Sequence, residues 1–354
     1  MRNILIYYII ERRNALKSKA IFKFGVIALS IVLVACSGGS SDEAGCPAIE
    51  DRKINVVATT PMIGEFVNQV GGDNINLTVI MPPEADPHTY EPAPQDAGTI
   101  ADADLVFYTG LKYEPAAVVK LLESSACSTD VLAEVGENVY PIEFKEEGGH
   151  DDHGDHSEEG HDDEEGHDDH DGHEGHGHGA YDPHFWFDPN RVAYAAEYIE
   201  GKLVEFDPSN ASSYEEAGSA YTNELKGLIG QVSDLISTVP SQNRKLITTH
   251  ESLGYLEAKF GLEVLSTIIP SLDSANEISP AQLVDVIDVI EDNNIKVIFI
   301  ESEAPSVYAE TIVSETGIKA VEGLWVETLK AGQSYPDFLI SAVELIVENL
   351  RNTD

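Results

Sequence analysis

The stretch INVVATTPMIGEFVNQVGGDNINLTVI, residues 54–80, decides the fold class. It begins with a run rich in β-branched residues at 54–60, and a helical pattern follows directly and stops at Gly71-Gly72. A second apolar run at 75–80 has the length and composition of another strand. A strand, a helix and a strand in this order predict a parallel βαβ unit.

The alternation of strands and helices continues along the chain and is interrupted by one long helical pattern. Residues 209–238 carry apolar side chains at helical spacing, and a second alternating series follows them. We therefore expect an α/β fold that consists of two α/β domains with mostly parallel sheets. The first domain is predicted at 53–208 and the second at 240–354, and a long rigid helix within 209–239 joins them.

The N-terminal 35 residues have the composition of a secretory signal. Basic residues precede an apolar stretch from Gly25 to Val34, and small residues lead from there to Cys36. A cysteine directly after such a site resembles the bacterial lipobox, which implies cleavage before Cys36 and acylation of its thiol. The alternative is an uncleaved N-terminal anchor. After cleavage, residues 36–52 would form a flexible tether, and no apolar run of transmembrane length follows.

The chain is strongly acidic, with a formal net charge of −42 over 354 residues. A surface of this sign repels phosphate backbones, which argues against nucleic acid as a partner, and it attracts cations. Two cysteines, Cys46 and Cys127, follow the predicted cleavage site. In an oxidising compartment an even pair is a disulfide candidate. The sequence leaves open whether the two are bridged, because it does not give their separation.

Residues 146–180 differ in kind from the rest of the chain. They contain 15 acidic residues, and no apolar side chain occurs between Gly148 and Gly179. Such a segment cannot bury enough surface to offset its chain entropy, so we expect a disordered insertion in the first domain. Its histidines make it a candidate accessory metal loop, and the alternative is a solvated acidic linker. They are His150, His153, His156, His161, His167, His170, His173, His176 and His178.

The other three histidines of the chain are His88, His184 and His250. Each follows a predicted strand or lies in a loop, among turn residues. In open α/β sheets, ligands bind outside the carboxyl ends of the strands. Three imidazoles at such a place would form a nitrogen-rich site that suits Zn²⁺. Any one of them alone is better explained as an ordinary solvated or capped residue. That explanation is weaker for the three together, because no other histidine remains outside the loop.

The segments around these histidines resemble the signatures of the zinc and manganese solute-binding proteins of ABC transporters. The segments are HTYEP at 88–92, DPHFW at 182–186 and TTHESLGY at 248–255. Their order matches that family, and so does the acidic, histidine-rich insertion just before the second segment. The resemblance extends over roughly residues 53–350 and indicates the zinc-uptake type.

The resemblance implies two α/β domains with a metal site in the cleft between them. It implies His88 and His184 as ligands from the first domain and His250 as a ligand from the second. The fourth ligand position falls on Glu327-Thr328-Leu329, where the family usually has Asp-Ser-Leu or Asp-Pro-Leu. Because Glu is one methylene longer than Asp, either Glu327 or a water fills the fourth place.

Four further acids lie near these motifs: Asp86, Glu91, Glu251 and Glu301. Any of them is a candidate for accepting a hydrogen bond from a ligating imidazole and orienting it. A solvated or capping carboxylate explains each of them at least as well.

His250 favours Zn²⁺ over Mn²⁺, because imidazole suits zinc whereas harder oxygen ligands suit manganese. In the family that the chain resembles, the manganese binders tend to have a carboxylate at this position. We therefore expect an extracytoplasmic solute-binding lipoprotein, a monomer, that captures Zn²⁺ and delivers it to an ABC permease and its ATPase. Its N-terminal lipid would anchor it to the membrane, in the periplasm or at the cell surface.

Three alternatives remain open at this point. The chain could be a manganese-binding member of the same family, or a metal-binding surface adhesin with the same fold and site. A zinc hydrolase is less well supported, because His250-Glu251 is followed by Ser252-Leu253-Gly254 and not by the spacing of a His-Glu-x-x-His helix. We therefore do not expect an enzyme.

Overall fold

The computed structural model describes Cys46, Ile49 and residues 52–144, 181–303 and 307–351. The predicted signal segment, Cys36 and the nine histidines of the acidic loop lie outside the described residues. The predictions made for them therefore stay predictions. Among the helices that the structure describes, none combines the length and the apolar composition needed to cross a membrane.

The N-terminal half, which comprises the described residues before 209, is built on a parallel sheet. Its strands are β1 (Ile54–Ala58), β2 (Ile75–Val79), β3 (Leu105–Tyr108) and β4 (Leu132–Glu134), in the order β2-β1-β3-β4. The helices between them are α1 (Pro61–Gly71), α2 (Pro94–Ala101) and α3 (Ala116–Ser125). The predicted βαβ unit is confirmed, whereas α3 and β4 are not predicted by the sequence pattern.

The first helix shows how local chemistry sets these boundaries. The hydroxyl of Thr60 accepts a hydrogen bond from the backbone N–H of Ile63 at 3.2 Å, and Pro61 occupies the first helical position. At the other end Gly72 has a φ of 49°, a conformation that ends the helix and that side chains disfavour. The chain therefore leaves β1, turns into α1 and returns to β2 within a short segment.

Two helices follow, α4 (Pro189–Phe206) and α5 (Ala211–Ser237). With 27 residues, α5 is the long helix that the sequence predicts at 209–238. Its buried side chains recur at helical spacing and include Tyr214, Leu225 and Val232. They belong to an apolar core that also contains residues before the helix in sequence, beginning in β1, and residues after it, as far as the C-terminal helix.

The C-terminal half, which comprises the described residues after 239, repeats the alternation of strands and helices. Its strands are β5 (Lys245–His250), β6 (Glu263–Ile269), β7 (Val297–Glu301) and β8 (Lys319–Leu324). Its helices are α6 (Gly254–Phe260), α7 (Pro280–Asp292), α8 (Ala309–Thr316) and α9 (Tyr335–Leu350). Strand β5 pairs in parallel with β6, and β7 pairs in parallel with β8.

Strands β5 and β7 lie next to each other, since the backbone N–H of Glu301 donates to the hydroxyl of Thr249 at 3.0 Å. The predicted α/β class, the parallel sheets and the long helix are thus confirmed. The predicted domain boundaries at 208/209 and 239/240 stay predictions.

Candidate metal centre

Two of the predicted ligands lie at or just beyond the end of a strand, and the other two lie at short turns. His88 lies on a single 3₁₀ turn, Pro87–Thr89, that follows β2. His250 is the last residue of β5, and Glu327 follows β8. His184 precedes a 3₁₀ turn that leads into α4. Parallel strands bring their carboxyl ends to one edge, which places His250 and Glu327 near each other.

The four predicted ligands form one cluster, and their ligand atoms all lie within 4.8 Å of one another. Oε1 of Glu327 is 3.3 Å from Nε2 of His88, 3.2 Å from Nε2 of His184 and 2.6 Å from Nε2 of His250. The side chain of His88 is 5% exposed and the other three are fully buried. In a tetrahedral zinc site with ligands about 2.0 Å from the ion, ligand atoms are about 3.3 Å apart. Two of the three separations match that value.

Two buried atoms of these four side chains have no hydrogen-bond partner among the described residues: Nε2 of His250 and Oε2 of Glu327. Nε2 of His250 lies close to the carboxylate of Glu327 but not in hydrogen-bond geometry. A buried polar atom without a partner is destabilising. A cation between the imidazoles and the carboxylate would satisfy both atoms, so the arrangement fits a bound metal ion.

Carboxylates hold the outer nitrogens of two imidazoles. Nδ1 of His184 is 2.8 Å from Oδ1 of Asp182, and Nδ1 of His250 is 2.5 Å from Oε2 of Glu301. Such a contact fixes the ring so that Nε2 faces the centre, and it raises the basicity of the ligand. Among the described residues, the one carboxylate found near Nδ1 of His88 is that of Asp273 at 4.0 Å, which is beyond hydrogen-bond range.

Of the four acids near the motifs, Glu301 is the one that holds an imidazole. Asp86 caps the turn that carries His88, because its carboxylate accepts from the backbone N–H of His88 at 3.0 Å. Glu251 accepts from the hydroxyl of Thr267 at 3.0 Å, and Glu91 is exposed. For Asp86 and Glu91 the capping or solvated explanation therefore fits better, whereas Glu251 holds a threonine hydroxyl.

Asp182 is not among the acids predicted to orient an imidazole. Its position two residues before the candidate ligand His184 could have indicated this role. Its Oδ1 accepts from both the backbone N–H and the ring Nδ1 of His184, each at 2.8 Å. A carboxylate two residues before a histidine commonly makes such a local turn. The hydroxyl of Tyr255 in turn donates to the backbone carbonyl of Asp182 at 2.8 Å.

The electrostatics of the cluster couple the imidazoles to the buried carboxylate. Burial lowers the pKa of His184, but the carboxylates of Glu327 and Asp182 outweigh burial and raise the pKa to about 9. Burial likewise lowers the pKa of His250, and Glu301 and Glu327 together raise it well above the ordinary value. Burial raises the pKa of Glu327, but the three imidazoles lower it well below the ordinary range. Because the pKa values of His184 and His250 are raised, protons on these two imidazoles compete with a metal ion for the same nitrogens.

The backbone that carries Glu327 is held from two sides. One oxygen of Glu303, Oε1, accepts from the backbone N–H groups of residues 326–328 at 3.0, 3.0 and 3.3 Å. On the other side, Nε1 of Trp186 donates to the carbonyl of residue 326 at 2.8 Å, and the hydroxyl of Tyr113 donates to the carbonyl of Glu327 at 2.9 Å. Burial, and next the charge of Glu327, raise the pKa of Glu303 to about 8. The sequence pattern predicts none of these contacts.

A disulfide joins Cys46 to Cys127, with their Cα atoms 5.0 Å apart. Cys46 lies in the segment predicted as a tether, and Cys127 follows the end of α3. The disulfide therefore ties the start of the described chain to the N-terminal half.

The family model described as "Zinc-uptake complex component A periplasmic" (ZnuA) matches residues 56–349. The chain belongs to this family. ZnuA-family proteins are substrate-binding components of metal-uptake complexes and not enzymes. The resemblance noted in the sequence is confirmed at this level.

Individual relatives of this ZnuA-family chain differ in the metal that they are named for. It is 26% identical over 330 residues to the manganese ABC transporter substrate-binding lipoprotein PsaA of Streptococcus mitis, covering 90% of this chain and 95% of that protein. It is 29% identical over 330 residues to the zinc-binding lipoprotein AdcA of Streptococcus pneumoniae, covering 92% of this chain and 59% of that protein. The names of the relatives include manganese, zinc and iron, so membership of the family does not determine the metal.

The fold matches that of solved structures. The periplasmic zinc-binding protein TroA from Treponema pallidum has a TM-score of 0.68 to this chain at 22% sequence identity. The match covers 85% of this chain and 100% of that one. At this identity the likeness shows the shared fold.

Proposed function

We propose that the chain is the extracytoplasmic metal-binding lipoprotein of an ABC transporter, and that its buried cluster captures Zn²⁺ for delivery to the membrane permease. The observation that carries the proposal is the geometry of His88, His184, His250 and Glu327, whose ligand atoms converge within 4.8 Å in a buried place. Two buried atoms of these ligand side chains lack a hydrogen-bond partner among the described residues, and a bound cation would interact with both. Membership of a family of metal-uptake components supports the transport role.

The donor set favours zinc among the metals of the relatives. Three imidazole nitrogens and one carboxylate are typical ligands of Zn²⁺ in four-coordinate sites, whereas Mn²⁺ prefers more and harder oxygen donors. The carboxylates of Asp182 and Glu301 accept from the outer imidazole nitrogens, so they orient the ligands and do not add oxygen donors to the site. A manganese role for the same residues is the second candidate, and the name of the relative PsaA favours it.

The position of the carboxylate supports Glu327, rather than a water, as the fourth ligand. Its Oε1 lies between 2.6 and 3.3 Å from all three Nε2 atoms, so the longer side chain already reaches the centre. A small shift that lengthens the shortest of these separations would admit an ion between the four atoms.

The remaining parts of the proposal concern segments outside the described residues. Residues 1–35 would direct export, and an acylated Cys36 would anchor the mature chain to the membrane. Of the predicted tether at 36–52, the part before Cys46 would remain free, because the disulfide ties Cys46 to Cys127. The nine histidines of the acidic loop would bind several zinc ions weakly and raise the zinc concentration near the cleft, an effect of tethering. A surface adhesin would have the same fold and site; a permease gene beside this one would favour transport.

The test uses the full-length chain with the nine loop histidines replaced by asparagine, which removes background binding. Competition with a chelator of known affinity then gives the affinities for Zn²⁺ and Mn²⁺. We expect one tightly bound Zn²⁺, weaker binding of Mn²⁺, and a strong loss of zinc affinity in each of His88→Ala, His184→Ala and His250→Ala. Unchanged zinc affinity in two of the three variants would overturn the assignment. Tighter binding of Mn²⁺ by the parent chain would establish the second candidate instead.

A further inference from the structure

The segment that carries Glu327 has irregular backbone. Residues 325–330 follow β8 and belong to no helix or strand, yet Val326, Glu327 and Thr328 are at most 1% exposed. Buried backbone N–H groups need acceptors, and in regular structure the neighbouring strand or turn supplies them. Here the acceptor is the side chain of Glu303.

The three N–H groups of residues 326–328 converge on one oxygen, Oε1 of Glu303, at 3.0, 3.0 and 3.3 Å. Successive backbone N–H groups that point to one place form a concave anion-binding nest. Glu303 lies just beyond β7, whose partner strand is β8, so the carboxylate spans the two strand ends. The backbone N–H of Ser302 donates to the carbonyl of Leu324 at 2.7 Å, which holds these two ends together beside the nest.

The opposite side of the same segment faces the N-terminal half. Trp186 and Tyr113 donate to the carbonyls of residues 326 and 327, at 2.8 and 2.9 Å. These two donors belong to the N-terminal half, whereas Glu303, which accepts from the same segment, belongs to the C-terminal half. The peptide groups at 326–328 are therefore held by hydrogen bonds on both sides. The position of the Glu327 carboxylate then depends on its side-chain torsions.

We propose that Glu303 is a positioning residue for the metal site, which holds the backbone at 326–328 so that the carboxylate of Glu327 reaches the three imidazoles. This inference rests on the proposed function of the cluster. Glu303 touches no imidazole in the described contacts and acts through Glu327. Without its carboxylate, three buried N–H groups lose their acceptor, and the segment relaxes toward other partners or solvent. The backbone of Glu327 is then no longer held in one position, and its carboxylate is no longer directed to the three imidazoles.

The test measures zinc affinity of the full-length chain with the loop histidines replaced, and of Glu303→Ala, Glu303→Asp and Glu303→Gln in that background. Loss of a group that orients a metal ligand typically lowers metal affinity about 10–100-fold, and we expect Glu303→Ala to fall in that range. Glu303→Asp retracts the acceptor by one methylene and should be intermediate. Glu303→Gln keeps an acceptor oxygen and should restore most of the affinity.

Two further measurements separate positioning from general destabilisation. Asp104→Ala removes another buried carboxylate, one that accepts from Arg52 and from the backbone N–H of Asn55 and contacts none of the four ligands. It should lower the free energy of unfolding and leave zinc affinity unchanged. The visible absorption of bound Co²⁺ reports coordination, and the spectrum of Glu303→Ala should shift toward that of Glu327→Ala.

A double-mutant cycle decides the outcome. If Glu303 acts through Glu327, Glu303→Ala lowers zinc affinity in the parent and has little further effect in the Glu327→Ala background. Equal losses in both backgrounds, or zinc affinity and a Co²⁺ spectrum unchanged in Glu303→Ala and Glu303→Asp, would overturn the positioning role. A parent chain that binds neither Zn²⁺ nor Co²⁺ would instead overturn the proposed function on which this role rests.

Discussion

Glu301 offers the sharpest test of how the site is built, because one change, Glu301→Gln, keeps the size of the side chain and removes its charge. The carboxylate is 1% exposed and accepts three hydrogen bonds. Oε2 accepts from Nδ1 of His250 at 2.5 Å, and Oε1 accepts from the backbone N–H of His250 at 3.3 Å and from the hydroxyl of Ser252 at 3.1 Å. Glutamine has a single acceptor oxygen in place of two.

The magnitude follows from this loss. If the glutamine oxygen faces Nδ1 of His250, its NH₂ group faces the backbone N–H of the same residue, and a buried donor is left unpaired. That arrangement lowers the free energy of unfolding by about 1–3 kcal/mol. The ring also loses the negative charge that raises its basicity, and such losses lower metal affinity by about 10–100-fold. In free energy of zinc binding this is about 1.4–2.7 kcal/mol.

The assay is chelator competition for Zn²⁺ together with chemical denaturation of the metal-free protein. Asp207→Asn is the matched control, because Asp207 is also buried and accepts three hydrogen bonds, from Ser209, Asn210 and Tyr214. The control should lose stability and keep its zinc affinity. If Glu301→Gln loses stability to the same extent and binds zinc as well as the parent, the carboxylate has a structural role only and the reasoning is refuted.

Three further predictions concern pH, shape and the disulfide. The pKa of His184 lies near 9 in the folded, metal-free chain against an ordinary value of 6.5, so its contribution to stability is complete below about 6.5 and is lost as pH rises through about 9. Denaturation of the metal-free protein should show the free energy of unfolding falling over this pH range, while titrations show zinc affinity rising. A free energy of unfolding that rises with pH in the parent chain but not in His184→Gln would contradict this prediction. Because one apolar core includes the long helix and residues of both halves, scattering profiles with and without zinc should nearly coincide, and a large decrease in radius of gyration would count against this. Replacing both Cys46 and Cys127 by serine opens a loop of sequence separation 81 and should lower the free energy of unfolding by up to about 4.5 kcal/mol on the chain-entropy estimate, with zinc affinity unchanged.

The long helix illustrates what periodicity predicts well. The apolar spacing in 209–238 predicts one helix, and the structure has it at Ala211–Ser237. The first residues form a 3₁₀ turn instead, because Asp207-Pro208 directs the chain out of α4. Elements with several buried side chains at a regular period are visible in sequence since the period repeats.

Strand β4 and helix α3 show where periodicity fails. Strand β4 has three residues and one buried side chain, Ala133, so no alternation can be read from it. Helix α3 buries only Val118 and Leu122 of its ten residues, which is too few to establish a helical period. Each of these elements depends on its neighbours in the fold more than on its own pattern.

The candidate ligands could be predicted because histidine is rare outside the acidic loop and each of the three lies in a recognisable segment. Glu303 could not, because its role lies in accepting from backbone groups 23 to 25 residues further along the chain. Side-chain type and spacing report which face of an element is buried. They do not report which N–H groups of an irregular segment a distant carboxylate will meet.

The hydrogen bonds that join the two halves bear on the proposed preference for zinc. The hydroxyl of Tyr335 donates to the carbonyl of Trp186 at 2.7 Å, and Trp186 donates to the segment that carries Glu327 at 2.8 Å. Each such buried bond contributes about 1 kcal/mol, so the halves are already connected around the cluster before an ion binds. A site whose four donor atoms have fixed separations discriminates by fit, because an ion that needs other distances or more ligands must deform it. Three imidazole nitrogens and one carboxylate oxygen are the donor set of a small four-coordinate cation, and this donor set is the physical ground for proposing Zn²⁺ over Mn²⁺.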